Sequence, residues 1–154
     1  MIWNLRAVVK RLVLLPGIYQ VVAFAWAKRF VVWGESMVPT ILPGERVLVD
    51  TLAYRFGRGP AAGDVVLARH PERPNLAMLK RVGGVPGDTV EDQRLGEDEY
   101  WLVGDASEFS TDSRQLGPVG SGDIVGRAWV VYWPPGSVRR VLNSRPRAGE
   151  AGQC

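Results

Sequence analysis

The stretch "LAMLKRV", residues 76 to 82, decides how the chain is read. In an extended strand alternate side chains face the same way, so Leu76, Met78, Lys80 and Val82 share one row and Arg81 points to the other. Four more runs of the same kind flank it: "RVLVDTLA" (46 to 53), "DVVLAR" (64 to 69), "YWLVG" (100 to 104) and "IVGRAWVVYW" (124 to 133). Each is rich in Val, Leu and aromatic residues and reads as a strand. The separators "LPGE", "GRGPAAGD", "HPERPN", "VPGD" and "GPVGSGD" are turn chemistry, in which Pro presets φ and Gly takes conformations other residues avoid. The pattern predicts a mostly β, single, small barrel-like domain over residues 31 to 136.

Lys80 is the odd member of its row. An ammonium among Leu76, Met78 and Val82 is desolvated, and burial lowers a lysine pKa toward the range of a useful base, although lysines also occur in strands at solvated edges. Arg81 cannot be neutralised and reads as a salt-bridge or surface group. A partner for a lysine base stands upstream in "GESMVPTILPGE" (34 to 45), where Ser36 follows an acidic residue. A serine hydroxyl is a poor nucleophile until a neighbouring base removes its proton. The usual base is histidine, but the chain holds one, His70, in "ARHPERP", where it reads as a loop residue, and no glycine elbow surrounds Ser36. A third segment, "GDASEFSTDSRQLGPVG" (104 to 120), gathers Asp105, Ser107, Ser110, Thr111, Asp112, Ser113 and Arg114 directly after an apolar strand. It is either a plain polar turn or a supply of hydroxyls to orient an amine, with an ion pair to fix a loop.

The rest of the composition narrows the classes. With 154 residues, 46% of them hydrophobic, one domain with appendages is expected. The lone cysteine, Cys154, forms no intrachain disulfide, and with one histidine it builds no zinc site, so no metal and no cofactor are expected. The net charge of +3 is uneven: residues 1 to 29 and 136 to 154 are basic, whereas the middle carries ten basic against fifteen acidic side chains. A nucleic-acid binder would place its basic patch on the folded body, so no nucleic-acid partner is expected.

Together, "GESMVPTILPGE", "MLKRVGGVPGD" and "GDASEFSTDSRQLGPV" resemble, in order and spacing, the signature boxes of the signal peptidase I family, membrane-associated serine endopeptidases with a Ser/Lys dyad. The resemblance covers roughly residues 31 to 134 and implies Ser36 as nucleophile and Lys80 as general base, acting on precursor polypeptides. It further implies that Ser110 hydrogen-bonds the lysine and that Asp112, Ser113 and Arg114 hold the site loop. Three departures stand out. Gly34 occupies a position where some members have a serine that helps bind the oxyanion, and losing one such donor costs roughly 3 kcal/mol unless replaced. The oxyanion region is then left to the backbone around Gly34 and Ser36. Ala106 replaces the usual Asn, and 23 residues separate Lys80 from Gly104, too few for the large β insertion of some members. A narrower resemblance, carried by "VLARHPERPNLAMLKRV" and "VVYWPP", is to the small proteases that trim nickel-type superoxide dismutase precursors. "GGVPGDTVE" is similar to ordinary signal peptidases, and secretory-type leader peptides are the expected substrates.

Between Arg11 and Lys28 lies "LVLLPGIYQVVAFAWA", uncharged and, as a helix, about 24 Å long against a hydrocarbon core of about 30 Å. Residues 1 to 30 are expected to be a membrane anchor in contact with lipid through residues 12 to 27, the alternatives being a buried core helix and a cleaved signal peptide. Arg6, Lys10 and Arg11 outnumber Lys28 and Arg29, which favours a membrane-bound protein with its catalytic domain outside the cytoplasm. A superoxide dismutase protease would instead be cytoplasmic. Residues 137 to 154, poor in apolar side chains, read as a disordered tail. Two other classes compete: self-cleaving repressors, which would need an upstream DNA-binding domain, and a membrane-tethered β-domain that binds without cleaving, which would need neither Ser36 nor Lys80.

Overall fold

A computed structural model describes residues 16–55 and 57–141. The five apolar runs become β2 (Arg46–Asp50), β3 (Val65–His70), β4 (Arg73–Gly84), β7 (Glu99–Val103) and β9 (Ile124–Trp133). Shorter strands join them: β1 (Lys28–Val31), β5 (Thr89–Val90), β6 (Gln93–Arg94), β8 (Val119–Gly120) and β10 (Arg139–Arg140). Two helices are described, α1 (Pro16–Ala25) and the single turn α2 (Ser113–Leu116).

The main sheet is antiparallel and eight-stranded, in the order β1-β2-β9-β3-β4-β7-β8, with β10 paired to β9 beyond the end of β3. The fold is mostly β as expected, but the sheet is open and no barrel closes, because β8 pairs only with β7 and β1 only with β2 among the described residues. Register shifts in the β2/β9, β3/β4, β3/β9 and β4/β7 ladders mark bulges, which bend and twist the strands. β5 and β6 form a separate hairpin whose turn residues Glu91 and Asp92 both have positive φ, the geometry of a tight two-residue turn.

Alternation divides the central strands between two apolar clusters. On β3, Val65 and Leu67 enter a cluster with Val47, Val49, Leu79 and Val131, whereas Val66 and Ala68 enter another with Val82, Tyr100, Leu102 and Val119. Both faces of β3 and of the second half of β4 are therefore covered, which leaves no solvated face for any side chain between Leu79 and Val82.

The boundaries expected at residues 30 and 136 both fall inside this structure. Lys28–Val31 is already a strand, in register with β2 from Lys28 opposite Val49 to Val31 opposite Arg46. At the other end β10 pairs with β9 and Val141 is buried, so the ordered chain runs at least to residue 141. The remainder of the expected tail, 142 to 154, lies outside the described residues. So do residues 1 to 15 of the expected anchor. No described helix is long and apolar enough to cross a membrane. α1, whose Ala23 is buried, is tied to the end of β2 by a hydrogen bond from the Tyr19 hydroxyl to the Asp50 carboxylate, and the turn after it by one from the Thr51 hydroxyl to the Trp26 carbonyl.

Candidate active site

Lys80 stands opposite Val66 in the middle of β4, on the face that carries Met78 and Val82, and is 4% exposed. Burial pushes its pKa below the usual lysine value; the Asp112 charge opposes that shift and the Arg114 charge adds to it. Its Nζ donates to Ser110 Oγ at 2.9 Å. Ser110 follows a 3₁₀ turn (Ser107–Phe109) and donates in turn to Asp112 Oδ2 at 2.7 Å.

Asp112 is fully buried and organises the loop. It is the N-cap of α2 in a capping box with Gln115, which a helix start needs to satisfy its free N–H groups. Its carboxylate also accepts from Gly104 N–H at 2.8 Å, from Arg114 Nε at 2.9 Å and from Arg114 Nη2 at 2.6 Å. Burial alone would raise the Asp112 pKa, but the hydrogen bonds from Arg114, Ser110 and the backbone outweigh it and hold the carboxyl down to about 2. Ser113 Oγ accepts from Leu102 N–H at 2.9 Å and so ties α2 to β7.

Ser36 sits across Gly104 from this network. Its carbonyl accepts the Ala106 N–H at 3.1 Å. A Cβ built on Gly104 would lie 2.2 Å from Ser110 Oγ and 2.7 Å from Ser36 O, so the absent side chain is what lets the two serines approach from either side. The structure thus joins Lys80, Ser110, Asp112 and Arg114 in one chain of hydrogen bonds, ties Ser113 to β7, and places the Ser36 carbonyl beside Gly104. No hydrogen bond joins the Ser36 hydroxyl to Lys80 among the described residues. Such contacts often tighten only when substrate is bound.

Gly34 has φ +93°, with open space where a Cβ would be. Any other residue would be strained there, which gives a physical reason for the missing serine: at this position backbone conformation takes precedence over a side-chain donor. His70 lies at the turn between β3 and β4, four residues along β3 from the level of Lys80, about 13 Å away. Its Nδ1 already accepts from Glu72 N–H at 3.2 Å.

Sequence reasoning missed a second polar cluster on the opposite face of β4. Of the two readings of Arg81, salt-bridge or surface group, the first holds: it is 3% exposed, forks onto Asp105 with Nε–Oδ1 and Nη2–Oδ2 both at 2.7 Å, and donates to Gly63 O at 2.9 Å. The Thr40 hydroxyl accepts from Arg81 Nη2 at 3.2 Å and donates to Asp105 Oδ2. Thr40 and Asp105 both stand in the quoted motifs, but nothing in their spacing announces a contact across 65 positions.

Residues 5–95 and 91–133 match the family described as signal peptidase, peptidase S26. The chain belongs to this family. It is 39% identical over 124 residues to mitochondrial ATP-independent inner membrane protease subunit 1a of Arabidopsis thaliana, covering 70% of this chain and 73% of that protein. It is 37% identical over 120 residues to mitochondrial inner membrane protease subunit 1 of Schizosaccharomyces pombe, covering 71% and 76%. It is also 33% identical over 116 residues to subunit 2 of that protease in Saccharomyces cerevisiae, covering 66% of each. The residues that match the S26 peptidase family include the strand that carries Lys80 and the Asp112 loop.

Proposed function

We propose that this S26 peptidase is a serine endopeptidase that removes N-terminal leader peptides from precursor polypeptides, with Ser36 as nucleophile and Lys80 as general base. The observation that carries the reading is the buried Lys80, whose Nζ is held by a serine hydroxyl. Burying an amine is costly, and a pure binding domain gains nothing from it. A base needs that burial, because only the neutral amine accepts a proton.

In the attack step Ser36 Oγ bonds to the scissile carbonyl carbon while its proton passes to neutral Lys80 Nζ. The backbone N–H of Ser36, with the loop from Gly34, faces the developing oxyanion. Collapse of the tetrahedral intermediate breaks the C–N bond, and the Lys80 ammonium returns its proton to the leaving amine. Water then attacks the acyl-enzyme ester, giving one proton to Lys80, and Ser36 leaves with its proton restored. Ser110 orients Nζ, Asp112 with Arg114 orients Ser110, and Ser113 holds the loop to β7. The step needs no cofactor or nucleic acid.

A membrane setting is supported by the relatives, which are inner membrane proteases, and by α1 and the turn after it, where Val21, Phe24 and Trp26 are exposed. The basic excess before residue 12 favours a catalytic domain on the extracytoplasmic side. That placement suits leader peptides, whose cleavage sites emerge there.

The test is cleavage of a precursor by the purified chain. Ser36→Ala and Lys80→Ala should each reduce the rate to background with the fold intact, and Lys80→Arg should be equally inactive because a guanidinium stays charged. Substantial turnover by any of these variants refutes the dyad. Protease added outside spheroplasts should digest the β-domain, and full protection refutes the orientation.

A further inference from the structure

The family match ends at residue 133, yet the chain beyond it returns to the loop that carries Ser36. β10 runs back along β9 and presents Arg139, whose Nη1 and Nη2 donate to Glu45 Oε1 and Oε2, each at 2.7 Å. Nη2 also donates to the Thr40 carbonyl at 2.9 Å, and Nη1 to Ser137 O at 3.0 Å. Glu45 is 3% exposed, and its Oε2 also accepts from Leu42 N–H at 2.8 Å. One planar guanidinium therefore gathers both ends of the Thr40–Glu45 stretch, a geometry that a bidentate fork satisfies and a point charge does not.

The other side of the same loop is held by the β4–β7 framework. The Thr40 hydroxyl bridges Arg81 and Asp105, and the Ser36 carbonyl is fixed by Ala106, the residue after Asp105. Met37 and Ile41 are buried in the core between these supports. At its base the loop closes through Val32 N–H to Glu45 O and Gly44 N–H to Val32 O, both 2.9 Å. Thr40 is thus held through its carbonyl by Arg139 and through its hydroxyl by the strand neighbour of Lys80.

We propose that Arg139 is a positioning residue for the reaction: with Glu45 as anchor, it presses the Thr40 end of the nucleophile loop against the Arg81–Asp105 pair and so sets the distance between Ser36 and Lys80. The proposal rests on Ser36 and Lys80 being the reacting groups. Arg139 touches neither of them. Its effect belongs to the transition state, because a nucleophile displaced by about an ångström loses on the order of a hundredfold in rate while substrate still binds.

The experiment measures kcat, KM and melting midpoint on the full chain for the parent, Ser36→Ala, Arg139→Gln, Arg139→Lys and the double variant Glu45→Leu/Arg139→Leu. Arg139→Gln should lose ten- to a hundredfold in kcat with KM within twofold, and Arg139→Lys should recover only part of it. The double variant separates positioning from stability, since replacing an ion pair by apolar side chains is often neutral for folding. Parent-like melting with kcat still at least tenfold down supports positioning. Parent-like melting with parent kcat overturns it and leaves Arg139 a stabilising residue. Inactive Ser36→Ala beside a fully active Arg139→Gln defeats this proposal alone, whereas an active Ser36→Ala defeats the dyad and this proposal with it.

Discussion

Lys80 Nζ and Ser110 Oγ are 2.9 Å apart in a site where both residues are almost fully buried, at 4% exposure each. The hydroxyl passes its own proton toward Asp112 and leaves an oxygen lone pair for the amine. Ser110→Ala deletes this contact and a single oxygen. Turnover should fall about tenfold to a hundredfold, in the range seen when an orienting partner is lost, while the melting midpoint moves little. Equal losses of activity and stability, measured side by side, would make Ser110 a packing residue.

Because burial lowers the Lys80 pKa, kcat/KM should rise with pH through that lowered value as the amine becomes neutral. Stability follows the same group. Its folded pKa lies below the unfolded 10.5, so its contribution is fully present above 10.5 and is lost as pH falls through the folded value. Lys80→Met should therefore be inactive yet more stable than the parent at neutral pH, with the difference shrinking as pH rises through the lowered folded value toward 10.5. A pH series of melting curves on both proteins decides it, and a less stable Lys80→Met contradicts the desolvation argument.

Asp112 works in the opposite sense. Its folded pKa is held to about 2 against an ordinary 3.8, so its stabilisation is present above 3.8 and is lost as pH falls through about 2. For a fully buried carboxylate that difference corresponds to about 2 kcal/mol. Arg114→Ala leaves the carboxylate buried without its ion-pair partner and should cost about 3 kcal/mol, seen as poor expression or a large drop in denaturation midpoint. A stable, active Arg114→Ala protein would show that the Asp112 hydrogen bonds from Ser110 and the backbone suffice.

Gly104 separates Ser36 from Ser110. A methyl group there must push on Ser110 Oγ, 2.2 Å away, and on the Ser36 carbonyl, 2.7 Å away. Gly104→Ala should reduce turnover roughly a hundredfold through misplacement of both groups, even if most molecules remain folded. Unchanged kinetics would mean that the loop yields without consequence for the chemistry.

Much of this was legible in the chain alone. The strands β2, β3, β4, β7 and β9 follow from apolar alternation bounded by Pro and Gly, and parity alone puts Lys80 in the row of Met78 and Val82. These are local properties, set by which way successive side chains point. β1 does not read as a strand from the sequence: Lys28 and Arg29 look like the flank of an apolar helix, and only pairing with β2 makes them extended. β10 reads as tail for the same reason, since two arginines in a polar stretch acquire a structure only from β9.

What the sequence determined by itself was therefore the strand pattern, the desolvated lysine and the motifs that place the chain in its family. What the tertiary structure decided was every contact between distant segments: the open edge between β1 and β8, the fork of Arg81 on Asp105 and the clamp of Arg139 on Glu45 across 94 positions. Charged side chains leave no periodic trace of their partners. An arginine bound for a buried carboxylate and one bound for water read alike until the sheet brings the carboxylate within reach.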